Sequence, residues 1–221
     1  MRYLTTLAVL LSALQLESQV LVNQEPRHHP VFENDKIRIL DVHLPPGDTT
    51  QYHVHHTPSL FLFFSNTNIV TQLQGASATQ GHTTAGTMLY ENLASPHVRI
   101  HRVWNTDSAE LHVMDIELLE KDSVFSQTKL NGPNLQLMID TGWVRVYKIT
   151  LDSQKSLSLK NKNRSFVLVE MNTGEAQFQS GHKPSAAASI PGTYFLINSG
   201  EIFSLKNNGI NKMEFALLEL P

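Results

Sequence analysis

From Val31 onward the chain is built of short stretches that alternate apolar and polar residues, separated by turn-formers, with almost nothing of helical period. Lys36 to Leu44 alternates, Pro45-Pro46-Gly47-Asp48 reads as a turn, Thr50 to His55 as a strand, and Leu60 to Phe64 as an apolar run suited to a buried strand. Ile69 to Leu73, Thr87 to Tyr90, Val98 to Trp104 and Leu111 to Leu119 follow the same style. Many short strands at this spacing bury their apolar faces by pairing into a sandwich or a barrel, so the expectation is an all-β chain.

The second half echoes the first. Arg38-Ile39-Leu40-Asp41-Val42-His43-Leu44 matches Arg145-Val146-Tyr147-Lys148-Ile149-Thr150-Leu151, and the same displacement sets Leu60-Phe61-Leu62 against Val167-Leu168-Val169. Gly81-His82 and Ile116-Glu117-Leu118-Leu119 find slightly closer echoes in Gly181-His182 and Leu217-Leu218-Glu219-Leu220, which implies a shorter loop in the second copy. Two tandem small antiparallel barrels are therefore expected, one over residues 31–120 and one over 135–221, joined where Asp122, Asn131, Gly132 and Pro133 supply breakers.

One turn and strand carry chemistry. Gly47 is followed after five residues by His53, then Val54 and His55, and alternation on a strand points both imidazoles the same way. Pro96 to Asn105 again alternates and puts His101 on the face of Arg99 and Val103. Two imidazoles on one face can share a metal ion, and His101 is a natural source of a third nitrogen. The alternative is a pair of half-buried histidines without metal, each needing its own hydrogen-bond partner.

At these residues the chain resembles the cupin superfamily. The first cupin motif is matched by Gly47, His53 and His55, while its glutamate would fall at Ser59 or Leu60. The second resembles Pro96 to Asn105, with Val98 in place of a glycine. The resemblance implies a bicupin of jelly-roll (double-stranded β-helix) barrels, in which His53, His55 and His101 hold one divalent metal without a carboxylate. Imidazole ligands admit Fe, Zn, Mn, Ni or Cu. Carried through the repeat, the displacement sets Lys160 opposite His53, Lys162 opposite His55 and Ile202 opposite His101, so the second barrel has no metal site and is left a structural role, as a cap or a homodimer interface.

Around this site Arg99, Tyr52 and His97 are candidates for binding substrate. Arg99 could clamp a carboxylate or pair with an internal acid such as Asp41. His28 and His29 fall in a polar lead-in and are expected in solvent, His56 on the opposite face, and His82 and His182 in turns. His43 and His112 belong to no motif. A three-histidine set is similar to that of cupin thiol dioxygenases; other cupins run isomerase, lyase or decarboxylase chemistry. The reading is therefore a metal-dependent enzyme acting on a small molecule, and the alternative is a non-catalytic barrel binding a sugar or small acid.

Met1 to Leu16 carries Arg2 and then an apolar run with no acid before Glu17, the layout of a signal peptide within residues 1–20, too short to remain as a transmembrane helix. With no cysteine and a net charge of −3, the expectation is an exported protein, periplasmic or secreted, without disulfides and without a basic face for nucleic acid.

Overall fold

The computed structural model describes residues 19–120, 125, 128–160, 164–180 and 183–221, with the backbone alone over 183–188. The expected signal segment up to residue 18, and Lys162 and His182, lie outside the described residues. The first half contributes β1 (Val20–Leu21), β2 (His28–Glu33), β3 (Ile37–Leu44), β4 (His53–His55), β5 (Ser59–Phe63), β6 (Thr67–Leu73), β7 (Thr79–Thr83), β8 (Met88–Glu91), β9 (Arg99–Asn105) and β10 (Leu111–Leu118). The second contributes β11 (Leu135–Asp140), β12 (Arg145–Leu151), β13 (Ser156–Lys160), β14 (Ser165–Glu170), β15 (Gly174–Ser180), β16 (Lys183–Ser189), β17 (Tyr194–Ile197), β18 (Ile202–Asn207) and β19 (Met213–Leu220).

Sheet order repeats between the halves. The first half pairs β2-β3-β10-β5-β8 against a second sheet β1-β4-β9-β6-β7, and the second half pairs β11-β12-β19-β14-β17 against β13-β18-β15-β16. Neighbours are antiparallel apart from the short parallel pairing of β1 with β4. Each half is a jelly roll of two facing sheets, and the first begins at β1, upstream of residue 31.

Alternation sorts the core into three parts. On β10, Leu111 and Val113 turn into the first barrel with Leu40, Val42 and Leu44. Met114, Ile116 and Leu118 turn the other way, and with Ile37, Ile39, Leu60 and Leu62 they pack on Val146, Val167, Val169, Ala216 and Leu218 of the second half. Strands β10 and β19 are thus covered on both faces, and even their carboxylates Asp115, Glu117 and Glu219 are buried. At roughly 1.5–3 kcal/mol for each fully buried aliphatic side chain, this seam binds the halves firmly. Tyr147, Phe166, Phe178, Phe203 and Phe215 fill the second interior.

Two asparagines fix the correspondence between halves. Asn105 Nδ2 donates to the carbonyls of Leu44 and Ala109, both at 2.8 Å, and Asn207 Nδ2 donates to those of Leu151 and Asn211 at 3.0 and 2.7 Å. His101 and Phe203 each stand four residues before their asparagine, and His101 pairs with His53 as Phe203 pairs with Leu159. The inward counterparts of His53 and His101 are therefore Leu159 and Phe203, correcting the expected Lys160 and Ile202. Those two do pair with each other, but they are exposed, Ile202 at 55%. The second copy is one residue shorter before β13, which moves Lys160 to the outer face, and the two asparagines align β9 with β18 at a displacement of 102, from 207 − 105, rather than the 101 of the Ile116–Leu217 echo, which moves Ile202 likewise.

Candidate metal site in the first barrel

Four imidazoles converge inside the first barrel. β4 and β9 are paired so that His53 opposes His101 and His55 opposes Arg99, and the inward parity expected for these residues is the parity found. His53 and His55 are buried, and their ring centroids are 4.9 Å apart; His101 lies 4.6 Å from His53 and 5.0 Å from His55. The fourth is His28 of β2, expected in solvent but 7% exposed, with its ring 4.6 Å from that of His53. The lead-in folds as part of the barrel: β1 pairs with β4 and β2 with β3, which swings His28 over the site.

Hydrogen bonds set the tautomers. His53 Nδ1 lies 2.9 Å from the Gln51 carbonyl, which can only accept, so Nδ1 carries the hydrogen and the Nε2 lone pair faces the interior without a partner. His28 Nδ1 lies 2.7 Å from Glu25 Oε2, which likewise leaves Nε2 as the lone-pair nitrogen. Burial pulls Glu25 upward, but the His28 contact and the backbone N–H groups of Gln51 and Arg27 outweigh it and hold the carboxylate low and ionised. His55 Nε2 faces His101 Nε2 at 3.1 Å.

Electrostatics favour neutral rings. Burial, and then the neighbouring His28, push His53 down to about 4. Burial with His53 and Arg99 pushes His101 down to about 2, and burial with His101 and His53 takes His55 well below its ordinary value. Neutral imidazoles are the ligating form. Two facing lone pairs at 3.1 Å repel unless a hydrogen or a cation stands between them. Nitrogens bound about 2.1 Å from one ion would stand roughly 3.0–3.4 Å apart, so the pair fits a shared metal, as does the unpartnered His53 Nε2. His28, His53 and His55 also bring ligand atoms within 4.8 Å of one another.

Beside the histidines lies Asp115 of β10, buried at 1% exposure, with Oδ2 3.5 Å from His55 Nδ1. Burial and the nearby Glu117 raise its carboxyl well above the usual carboxylate range. Sequence reading passed over it, although a carboxylate sharing the inward parity of Leu111 and Val113 was the visible signal.

The histidines and Asp115 border a cavity of about 210 Å³, whose other walls include Val42, Leu44, Phe61, Phe63 and Leu89. Arg99 reaches it but is held by Glu91, also on the wall, through two parallel contacts, Nη2 to Oε1 at 2.8 Å and Nη1 to Oε2. The acid that pairs with Arg99 is thus Glu91; Asp41 lies on the outer face of β3. Two candidates fall outside the cavity. Tyr52 precedes His53 on the chain and so turns away from it, placing its ring under the Arg102 guanidinium at 4.8 Å. His97 is exposed in the turn closed by its N–H on the Ala94 carbonyl, since β9 starts only at Arg99.

Paired jelly rolls with inward imidazoles on one barrel define the cupin fold. Among the solved structures the chain is similar to are a cupin 2 conserved barrel domain protein from Leptotrichia buccalis (TM-score 0.55, 10% identity, covering 87% of this chain and 88% of that one) and the salicylate 1,2-dioxygenase of Pseudaminobacter salicylatoxidans (TM-score 0.58, 10% identity, 84% and 71%). YhaK from Escherichia coli is also similar (TM-score 0.56, 17% identity, 90% and 95%). At these identities the likeness is one of fold. No protein-family model matches the sequence, and no curated protein matches it.

Proposed function

We propose that the chain is a metal-dependent enzyme, of dioxygenase, isomerase or lyase type, acting on a small molecule in the first barrel. The observation that carries this reading is the convergence of neutral, buried imidazoles with inward lone pairs on a cavity of about 210 Å³. His53, His55 and His101 would hold the ion, with His28 bringing a fourth imidazole beside His53. A metal there supplies Lewis-acid and redox chemistry to a molecule alongside it. The apolar walls exclude water and select a compact organic ligand, Arg99 orients an acidic group, and Asp115 stands beside His55 Nδ1.

The second barrel, with Leu159 and Phe203 at the corresponding inward positions, is structural in this reading, and an export signal ends before Val20, which pairs with His53 in β1. Sequencing the N-terminus of exported material would give a start after residue 13; an intact Met1 would overturn export.

The deciding experiment is elemental analysis of untagged protein beside His101→Ala, followed by oxygen uptake with small thiols, acids and phenols. About one equivalent of iron or another redox metal, lost in the variant, supports the enzyme. Equal metal in both samples removes the site, and its absence from both favours a ligand-binding barrel.

A further inference from the structure

A second histidine cluster lies on the outer face of the first barrel, away from the cavity. Asp41 and His43 alternate onto that face of β3, and His112 is the direct cross-strand partner of His43 on β10. The two rings stack with centroids 4.1 Å apart and 20° between planes, and both turn Nε2 toward one carboxylate. His112 Nε2 is 2.8 Å from Asp41 Oδ1, and His43 Nε2 is 3.2 Å from Asp41 Oδ2. The other nitrogen of His43, Nδ1, is 3.2 Å from Glu110 Oε2.

Counting hydrogens shows what the arrangement lacks. A neutral imidazole has a single N–H, yet His43 meets a carboxylate oxygen at each nitrogen. If Nδ1–H donates to Glu110, the Nε2 lone pair faces an Asp41 lone pair, and only a cation satisfies both. A second hydrogen on His43 would satisfy both, and so would a metal ion. A metal ion satisfies all three groups at once, with Glu110 orienting the remote nitrogen of His43 as carboxylates do behind metal-bound histidines.

We propose that Asp41, His43 and His112 form a second divalent-cation site, independent of the central one, suited to zinc or a similar ion that accepts two imidazoles and a carboxylate. Their ligand atoms lie within 4.8 Å of one another, and side-chain exposures of 31%, 35% and 18% leave the group open to ions from solvent. The site sits where the two barrels meet. The turn at Gly192, between β16 and β17, closes on the His112 ring so tightly that a Cβ there would stand 3.1 Å from Cε1 and 3.2 Å from Nε2. Phe64 packs on the ring from the first half at 4.7 Å. Occupancy would therefore fix a side chain that both halves pack against.

The test is zinc titration by calorimetry on untagged full-length protein carrying His55→Ala and His101→Ala, which disables the central site. Near neutral pH this background should bind about one zinc ion and melt at a higher temperature with zinc present. Adding His112→Ala or His43→Ala should weaken binding roughly tenfold or more and abolish the thermal shift. A background that takes up no zinc, or affinity unchanged by either substitution, overturns the proposal. Should the background fail to fold, ring-nitrogen NMR of the natural sequence decides: zinc should move the Nε2 resonances of His43 and His112, and their standing still at saturating zinc overturns the site.

Discussion

Glu25 Oε2 stands 2.7 Å from His28 Nδ1, while Glu25 Oε1 accepts the Gln51 N–H at 3.1 Å. One carboxylate thus orients His28 and also anchors the residue whose carbonyl receives His53 Nδ1–H. Glu25→Gln would offer an amide where His28 needs an acceptor and would favour the wrong tautomer. Metal affinity is expected to fall about 10–100-fold, as for other groups that orient a ligating histidine. Competition with a chelator measures it, and affinity equal to the natural sequence would free Glu25 of this role.

Arg99 and Glu91 neutralise each other on the cavity wall. Arg99→Ala should lower affinity for small carboxylic acids while leaving neutral analogues unaffected, and it leaves a half-buried carboxylate unpaired at a cost of about 1–3 kcal/mol. Glu91→Gln should act in the opposite sense, strengthening acid binding by freeing guanidinium donors. Equal losses for acids and neutral compounds in Arg99→Ala would make the pair purely structural.

Acid should unfold the metal-stripped protein early. His53 goes from its ordinary 6.5 to about 4 on folding, so between these values the unfolded chain binds more protons than the folded one. Stability then falls as pH drops through this window, by up to about 1.4 kcal/mol per pH unit for each such group. Urea melts at several pH values, with chelator present, should show this slope, and His53→Phe should flatten it. An unchanged slope would mean that His53 does not carry the effect.

The fold was legible because strand alternation survives in nearly every element, and so were His53, His55 and His101, because parity within paired strands carries across the sheet. His28 was not legible: its place depends on the β2–β3 hairpin, with a register shift between Pro30 and Phe32, and on β1 joining β4, while its local sequence is polar. Asp115 was readable in principle from its inward parity on β10. The counterparts of His53 and His101 were each misplaced by one residue, the first through a shorter loop before β13 and the second through a displacement taken one too small, and on a strand one residue exchanges the two faces. His97 and Tyr52 failed for a related reason: parity holds only within a strand, which excludes the turn before Arg99 and sends Tyr52 outward.

Asn105 is the asparagine of the second cupin-like motif, and its position invites a role in the site. Its bonds argue otherwise. The side chain is 1% exposed and spans from the Leu44 carbonyl to that of Ala109, while Oδ1 receives the Asp107 N–H at 2.9 Å. Asn207 repeats this in the barrel without inward histidines at the matching positions, with Oδ1 receiving the Gly209 N–H at 2.9 Å. Each asparagine pins a loop that backbone pairing alone leaves with buried polar groups, so removing it strands two carbonyls and an N–H. Asn105→Ala and Asn207→Ala should each cost about 2–4 kcal/mol in denaturant melts. Metal affinity of the folded protein should be the same in both variants, since neither asparagine reaches a ligand nitrogen. A selective loss of metal in Asn105→Ala, at matched destabilisation, would instead tie the motif asparagine to the site.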